Sequence, residues 1–185
     1  MNENLSQKMK ITFSQSTEDE VVFHDQDLIQ IKPLGLSFTH DLQKPFLLFR
    51  DLENKKTFAV GISPIEAGIF ISQNQQSSLI KKTGPHLFLA EIMSLFDVQI
   101  KRCVFVQIQP EAQYVRLYLT GHPMVSSLKF KAEDVMSVCL HLEVPIFVTQ
   151  DMIRKSISLI SQEVGPSAKL DENLVKIHIN QRYLM

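Results

Sequence analysis

Residues 45–67, Pro45-Phe-Leu-Leu-Phe-Arg-Asp51-Leu-Glu-Asn-Lys-Lys-Thr57-Phe-Ala-Val-Gly61-Ile-Ser63-Pro64-Ile65-Glu66-Ala67, carry the change of period that decides the fold class. Pro45 to Phe49 is a short apolar run of the kind that forms a buried strand. Asp51 to Lys55 is polar and turn-forming, and Thr57 to Gly61 returns to β-favouring residues. Ser63-Pro64-Ile65-Glu66 then announces a helix. Ser is a good N-cap, Pro suits the first helical position, and Glu three residues on completes a capping box. Strand, turn, strand and helix follow within 23 residues, so neither an all-α nor an all-β reading fits.

The same alternation extends in both directions. Upstream, Ile29 and Ile31 precede Pro33 and Gly35, and residues 28–61 as a whole read as β structure. Downstream, Ala67, Phe70 and Ile71 continue the apolar face of the first helix, and a polar loop begins at Gln73. A second helix follows Lys81-Lys82-Thr83-Gly84-Pro85, with Phe88, Ile92, Leu95 and Phe96 spaced i, i+4, i+7, i+8 as its apolar face. Ile100–Ile108 and Tyr114–Leu119 form a hairpin across Gln109-Pro110-Glu111-Ala112, and Val125–Phe130 is a further strand. A third helix spans roughly Ala132–Leu142, with Val135, Val138, Cys139 and Leu142 inward. Val144–Val148 is a short buried strand, and Thr149 caps a fourth helix through about Ser161. Val175–Ile179 alternates as an edge strand would. The expectation is an α+β fold with a mixed, mostly antiparallel sheet and about four helices.

Composition narrows the class of function. The 185 residues are 44% apolar and 21% charged, which excludes a disordered or fibrous chain. Nineteen Lys and Arg against 20 Asp and Glu leave a net charge of −1, so no global basic field draws the chain to nucleic acid or anionic lipid. Cys103 and Cys139 each lie in an apolar run and read as reduced core residues. The first residues lack the apolar stretch of a secretory signal, and no apolar run approaches the ~20 residues of a membrane helix. The expected location is cytoplasmic, without a membrane partner.

Standard catalytic motifs are missing, including G-x-G-x-x-G, H-E-x-x-H, C-x-x-C and G-x-S-x-G. Three constellations remain, each at the start of a predicted helix. They are Glu66, then His86 behind Lys81, Lys82 and Gly84, and then Lys129, Lys131, Glu133 and Asp134. Each has a plain structural role too, since a Glu can cap and acids in a first turn complement the helix dipole. Were the three helix starts to converge, carboxylates, an imidazole and lysines would share one cleft suited to phosphoryl chemistry. The His-Asp pairs at His24-Asp25 and His40-Asp41 are read as coincidental loop neighbours.

The ordered series of elements resembles the bifunctional nuclease (BFN) domain. Pro45–Asp51, Phe58–Ile62 and Ile65-Glu66-Ala67 are similar to that family's P-V-V-L-L-K-D, L-P-I-W-I-G and E-A segments. Ala132–Val135 and Val144–Val148 are similar to R-P-S-D-A-I-A-L-A and A-P-I-F-V. The resemblance covers roughly residues 29–155. It leaves 1–28 as a polar N-terminal extension and 156–185 as a C-terminal extension holding a helix end and an edge strand. It implies homodimers and a metal-dependent nuclease acting on DNA and RNA. Glu66 and Asp134 would hold Mg²⁺ or Mn²⁺, His86 would be the general acid/base, and Lys82 and Lys131 would contact phosphate.

Departures from the pattern point the other way. The R-P-x-T-H-D-L motif becomes Lys82-Thr-Gly-Pro-His86-Leu87, with Leu in place of Asp. The D-A-R-P-S-D-A motif begins with Lys129, and Lys131 stands for Arg. Losing two acidic ligands weakens a divalent site, and Lys does not reproduce the bidentate grip of Arg on phosphate. The alternative function is a catalytically silent homodimeric binding or scaffold protein on the same fold. Unpaired backbone at Leu28–Ile31 and Val175–Ile179 is the expected dimer edge.

Overall fold

The computed structural model describes residues 27–38, 45–53, 55–75, 85–109, 112–156 and 175–176. The chain is α+β. In order, the elements are β1 (Leu28–Phe38), β2 (Pro45–Asp51), β3 (Thr57–Gly61), α1 (Pro64–Gln75), α2 (Pro85–Leu95), β4 (Gln99–Ile108), β5 (Gln113–Thr120), β6 (Ser127–Lys131), α3 (Ala132–His141), β7 (Ile146–Thr149), a helix over 150–156, and β8 (Val175–Lys176). One mixed sheet has the path β3-β2-β1-β7-β4-β5-β6, with β8 beside β1. Every pairing is antiparallel except β4 with β7.

Side-chain alternation divides the sheet into two faces. Ile31, Leu36, Leu47, Phe49, Phe58, Val60, Cys103, Phe105, Val115, Leu117, Ile146 and Val148 fill the inner face together with Ala132, Met136 and Cys139 of α3. α3 packs against β3, β5 and β6 at once, so the sheet curls around it. The Phe58 and Phe105 rings meet edge to face at 4.7 Å across that curl. At the strand edge, Gln113 Nε2 on β5 donates to the carbonyl of Ala59 on β3 at 3.0 Å. Ser156 seals the same place. Its hydroxyl accepts from Ala59 N–H at 3.3 Å and donates to Ala59 C=O at 3.0 Å.

The structure departs from the sequence expectations in several places. Leu28–Ile31 is not an edge, because β7 pairs with it, and Val175 and Lys176 pair with Leu36 and Gly35 farther along the same side of β1. Residues 177–179 lie outside the described residues. Val175 and Lys176 thus join the main sheet. In α3 the deepest residues are Ala132, Met136, Ser137 and Cys139, while Val135, Val138 and Leu142 are only half-buried. Val135 and Leu142 nevertheless pack against the core. The supposed buried stripe of α2 is largely exposed, with Phe88 at 69%, Leu95 at 77% and Phe96 at 70%. Lastly, α1 runs to Gln75, past the loop expected from Gln73.

Candidate functional site

α1 begins as its sequence dictates. Ser63 Oγ accepts a hydrogen bond from Glu66 N–H at 3.1 Å, which satisfies one of the orphan donors of the first turn. The reciprocal half of the capping box is not made. The Glu66 carboxylate turns instead to α3 and accepts a hydrogen bond from the Ser137 hydroxyl. Ser137 is buried on the α3 face that meets α1, so this bond ties the two helices.

His86 sits in the first turn of α2 and is 5% exposed. Its ring faces His141 of α3, with centroids 5.8 Å apart and planes tilted by 50°. The Nε2 atom of His86 is buried without a hydrogen-bond partner among the described residues. Ser137 and His141 are four residues apart, hence about 6 Å along the helix axis. Glu66 and His86 therefore reach the same helix one turn apart. Sequence inspection missed both intermediaries, although their i, i+4 spacing was a signal that they share a face.

Among the described residues, none of the other predicted residues is bonded to this pair. Asp134 is exposed in the first turn of α3, and no hydrogen bond or ion pair joins it to Glu66 or His86. Lys131 is exposed at the N-cap of α3 and lies 3.7 Å from Glu133 in a solvent-exposed ion pair. Such pairs contribute little. Lys82 and the His-Asp pairs at 24–25 and 40–41 lie outside the described residues. Lys129 points to the outer face of the sheet, where Nζ lies 5.1 Å from the Tyr114 ring centre and donates to Gln107 Oε1 at 2.9 Å. It does not face Glu66, so charge repulsion of a cation at that carboxylate is not its role.

Among the described residues no group of three or more His, Cys, Asp or Glu side chains is placed to hold a divalent cation. Glu66 already accepts the Ser137 hydroxyl, and hard cations require several oxygen ligands. The cysteines are free and buried, as expected. A hydrogen bond with Cys139, reinforced by burial, holds the Cys103 thiol well above the ordinary thiol pKa. That contact links β4 to α3, and both sulfurs are shut away from solvent. No helix among the described residues is long and apolar enough to cross a membrane. No protein-family model matches the chain, and no curated protein matches it.

Proposed function

We propose that the chain is a BFN-like domain that binds rather than cuts, and that it works as a homodimer through α2. The observation that carries this reading is the exposed apolar face of α2. Phe88, Leu95 and Phe96 are each more than two-thirds exposed, and Leu89 adds to them. Contiguous apolar surface of this kind marks an interface. Glu91 is the sole Asp, Glu, Lys or Arg within α2 itself, so two copies would meet with little like-charge repulsion. Met124, at 84% exposure, belongs to the turn whose Gly121 lies against Asp97, just past the end of α2. The net charge of −1 also imposes little long-range self-repulsion.

The site chemistry supports the same choice. Glu66 serves as a tie between helices, and His86 is packed into the α2–α3 junction. The second reading is a nuclease acting on DNA or RNA. It draws on the meeting of Glu66 and His86 along one turn of α3, with Asp134, Lys131 and Lys82 as its remaining metal and phosphate contacts. One measurement tests the α2 dimer, and a second separates the two readings. Sedimentation should give twice the chain mass, and Leu95→Glu with Phe96→Glu should give a monomer with unchanged thermal stability. Plasmid DNA and single-stranded RNA should stay intact with Mg²⁺ or Mn²⁺. Metal-dependent cleavage that is abolished by Glu66→Gln would establish the second reading instead.

A further inference from the structure

The two ends of the sheet are finished differently. At β3, the Ser156 hydroxyl occupies both backbone groups of Ala59 and closes that edge. At the far end, β6 pairs with β5 alone among the described strands, so its other side, from Ser127 to Lys131, offers a strand's length of backbone. Exposed edges of this kind are templates for another chain.

Side chains around that edge are sorted by face. On the outer face the registers make three rows across β4, β5 and β6. These are Arg102, Tyr118 and Ser127; then Val104, Arg116 and Lys129; then Gln107, Tyr114 and Lys131. The rows hold four cations and no carboxylate. They are also braced. Arg102 stacks at 4.6 Å from the Tyr118 ring centre, and Lys129 lies over Tyr114. Arg116 donates to Ser127 Oγ at 3.0 Å, and Lys129 donates to Gln107. Among the described residues, Glu133 forms an ion pair with Lys131 at the rim of this set. The opposite face of β6 is apolar, where Leu128 and Phe130 stand across from Leu117 and Val115. Phe130 remains 37% exposed although Val115 is fully buried.

We propose that β6 is a docking strand for an extended peptide segment in which acidic and apolar residues alternate. Added beside β6, such a segment would form ladder hydrogen bonds with the free backbone edge. Its acidic side chains would face Lys129 and Lys131, and its apolar side chains would face Leu128 and Phe130. A period of two gives both matches at once. A second copy of β6 is a poor occupant, because lysines would then oppose lysines across the pair. Nucleic acid would satisfy the cations but neither the backbone edge nor the apolar row. The inference rests on the reading of the chain as a binding domain, and it uses an edge separate from α2.

The test is fluorescence anisotropy on the full chain with a labelled decapeptide of alternating Glu and Val. Saturable binding is expected, weakened roughly tenfold or more by Lys129→Glu with Lys131→Glu. A peptide with Lys in place of Glu should bind that charge-reversed variant, which also shows that the variant is folded. Equal binding of a scrambled peptide, or of one N-methylated along its length, would overturn the proposal. So would a single-stranded oligonucleotide that displaces the peptide and binds more tightly. A monomeric wild type that still binds the peptide would overturn the α2 dimer alone. A dimer that ignores the peptide would overturn the docking strand alone.

Discussion

Ser156 shows how one hydroxyl fixes a long-range closure. It lies 97 residues from Ala59, is 1% exposed, and takes both the N–H and the C=O that β3 turns away from β2. Removing it strands a buried backbone donor, since Ala59 C=O keeps Gln113 while Ala59 N–H loses its acceptor. Leaving such a group unpaired costs about 1–3 kcal/mol. Ser156→Ala should therefore lower the unfolding free energy by about that amount in a urea titration. A loss below a few tenths of a kcal/mol would mean that water replaces the hydroxyl. The amino-acid sequence gave no hint of this role. Ser156 falls within the predicted fourth helix, and nothing local distinguishes a serine that reaches a distant strand from one that faces solvent. Glu66 is the reverse case. Its capping position was legible from Ser63 and Pro64, yet its carboxylate left the cap for Ser137, 71 residues away.

At the level of elements, local signals were read well where the backbone itself demanded them. Thr149 caps the helix that follows it, accepting from Met152 N–H at 3.4 Å, and the hairpin of β4 and β5 turns between Gln109 and Ala112. Burial was harder to read. The spacing of Phe88, Ile92, Leu95 and Phe96 is helical, but periodicity reports that a helix has an apolar face and not what covers it. The connection from β5 to β6 has a firmer requirement. Gly121 has φ of 89°, and a Cβ there would fall 1.7 Å from the carbonyl oxygen of Asp97. Asp97 itself adopts φ of 53° as α2 gives way to β4. Neither backbone can retreat freely, because Gln99 and Thr120 are paired beside them. Gly121→Ala should cost at least ~2 kcal/mol, from left-handed strain and the clash together. Chemical denaturation checks this, and a near-neutral result would show that the turn can shift as a unit.

For the molecule as a whole, the curled sheet and α3 form one core, and Cys103 with Cys139 lies at its centre. Both thiols are fully buried, one on β4 and one on α3. The fold class was legible because strands and helices alternate in period along the chain. The curl was not, because it depends on partners such as Phe58 with Phe105 that share no local pattern. The buried Cys103 thiol makes the stability of this core depend on alkaline pH. The hydrogen bond with Cys139 comes first and burial second in raising the Cys103 pKa above the ordinary value of 9.0. Below that value both the folded and the unfolded chain keep the proton, and the thiol adds no pH dependence. Above it the unfolded chain releases the proton while the folded chain retains it, so the folded state binds more protons and stability falls as pH rises. The slope is at most about 1.4 kcal/mol per pH unit for one thiol. Urea titrations of the wild type between pH 8 and pH 10 should show this decline. Cys103→Ala should be less stable at every pH through the cavity it leaves, but its decline over the same interval should be shallower. Equal slopes in the two proteins would show that Cys103 ionises as readily in the folded core as in water, and the contact with Cys139 would then not be holding its proton.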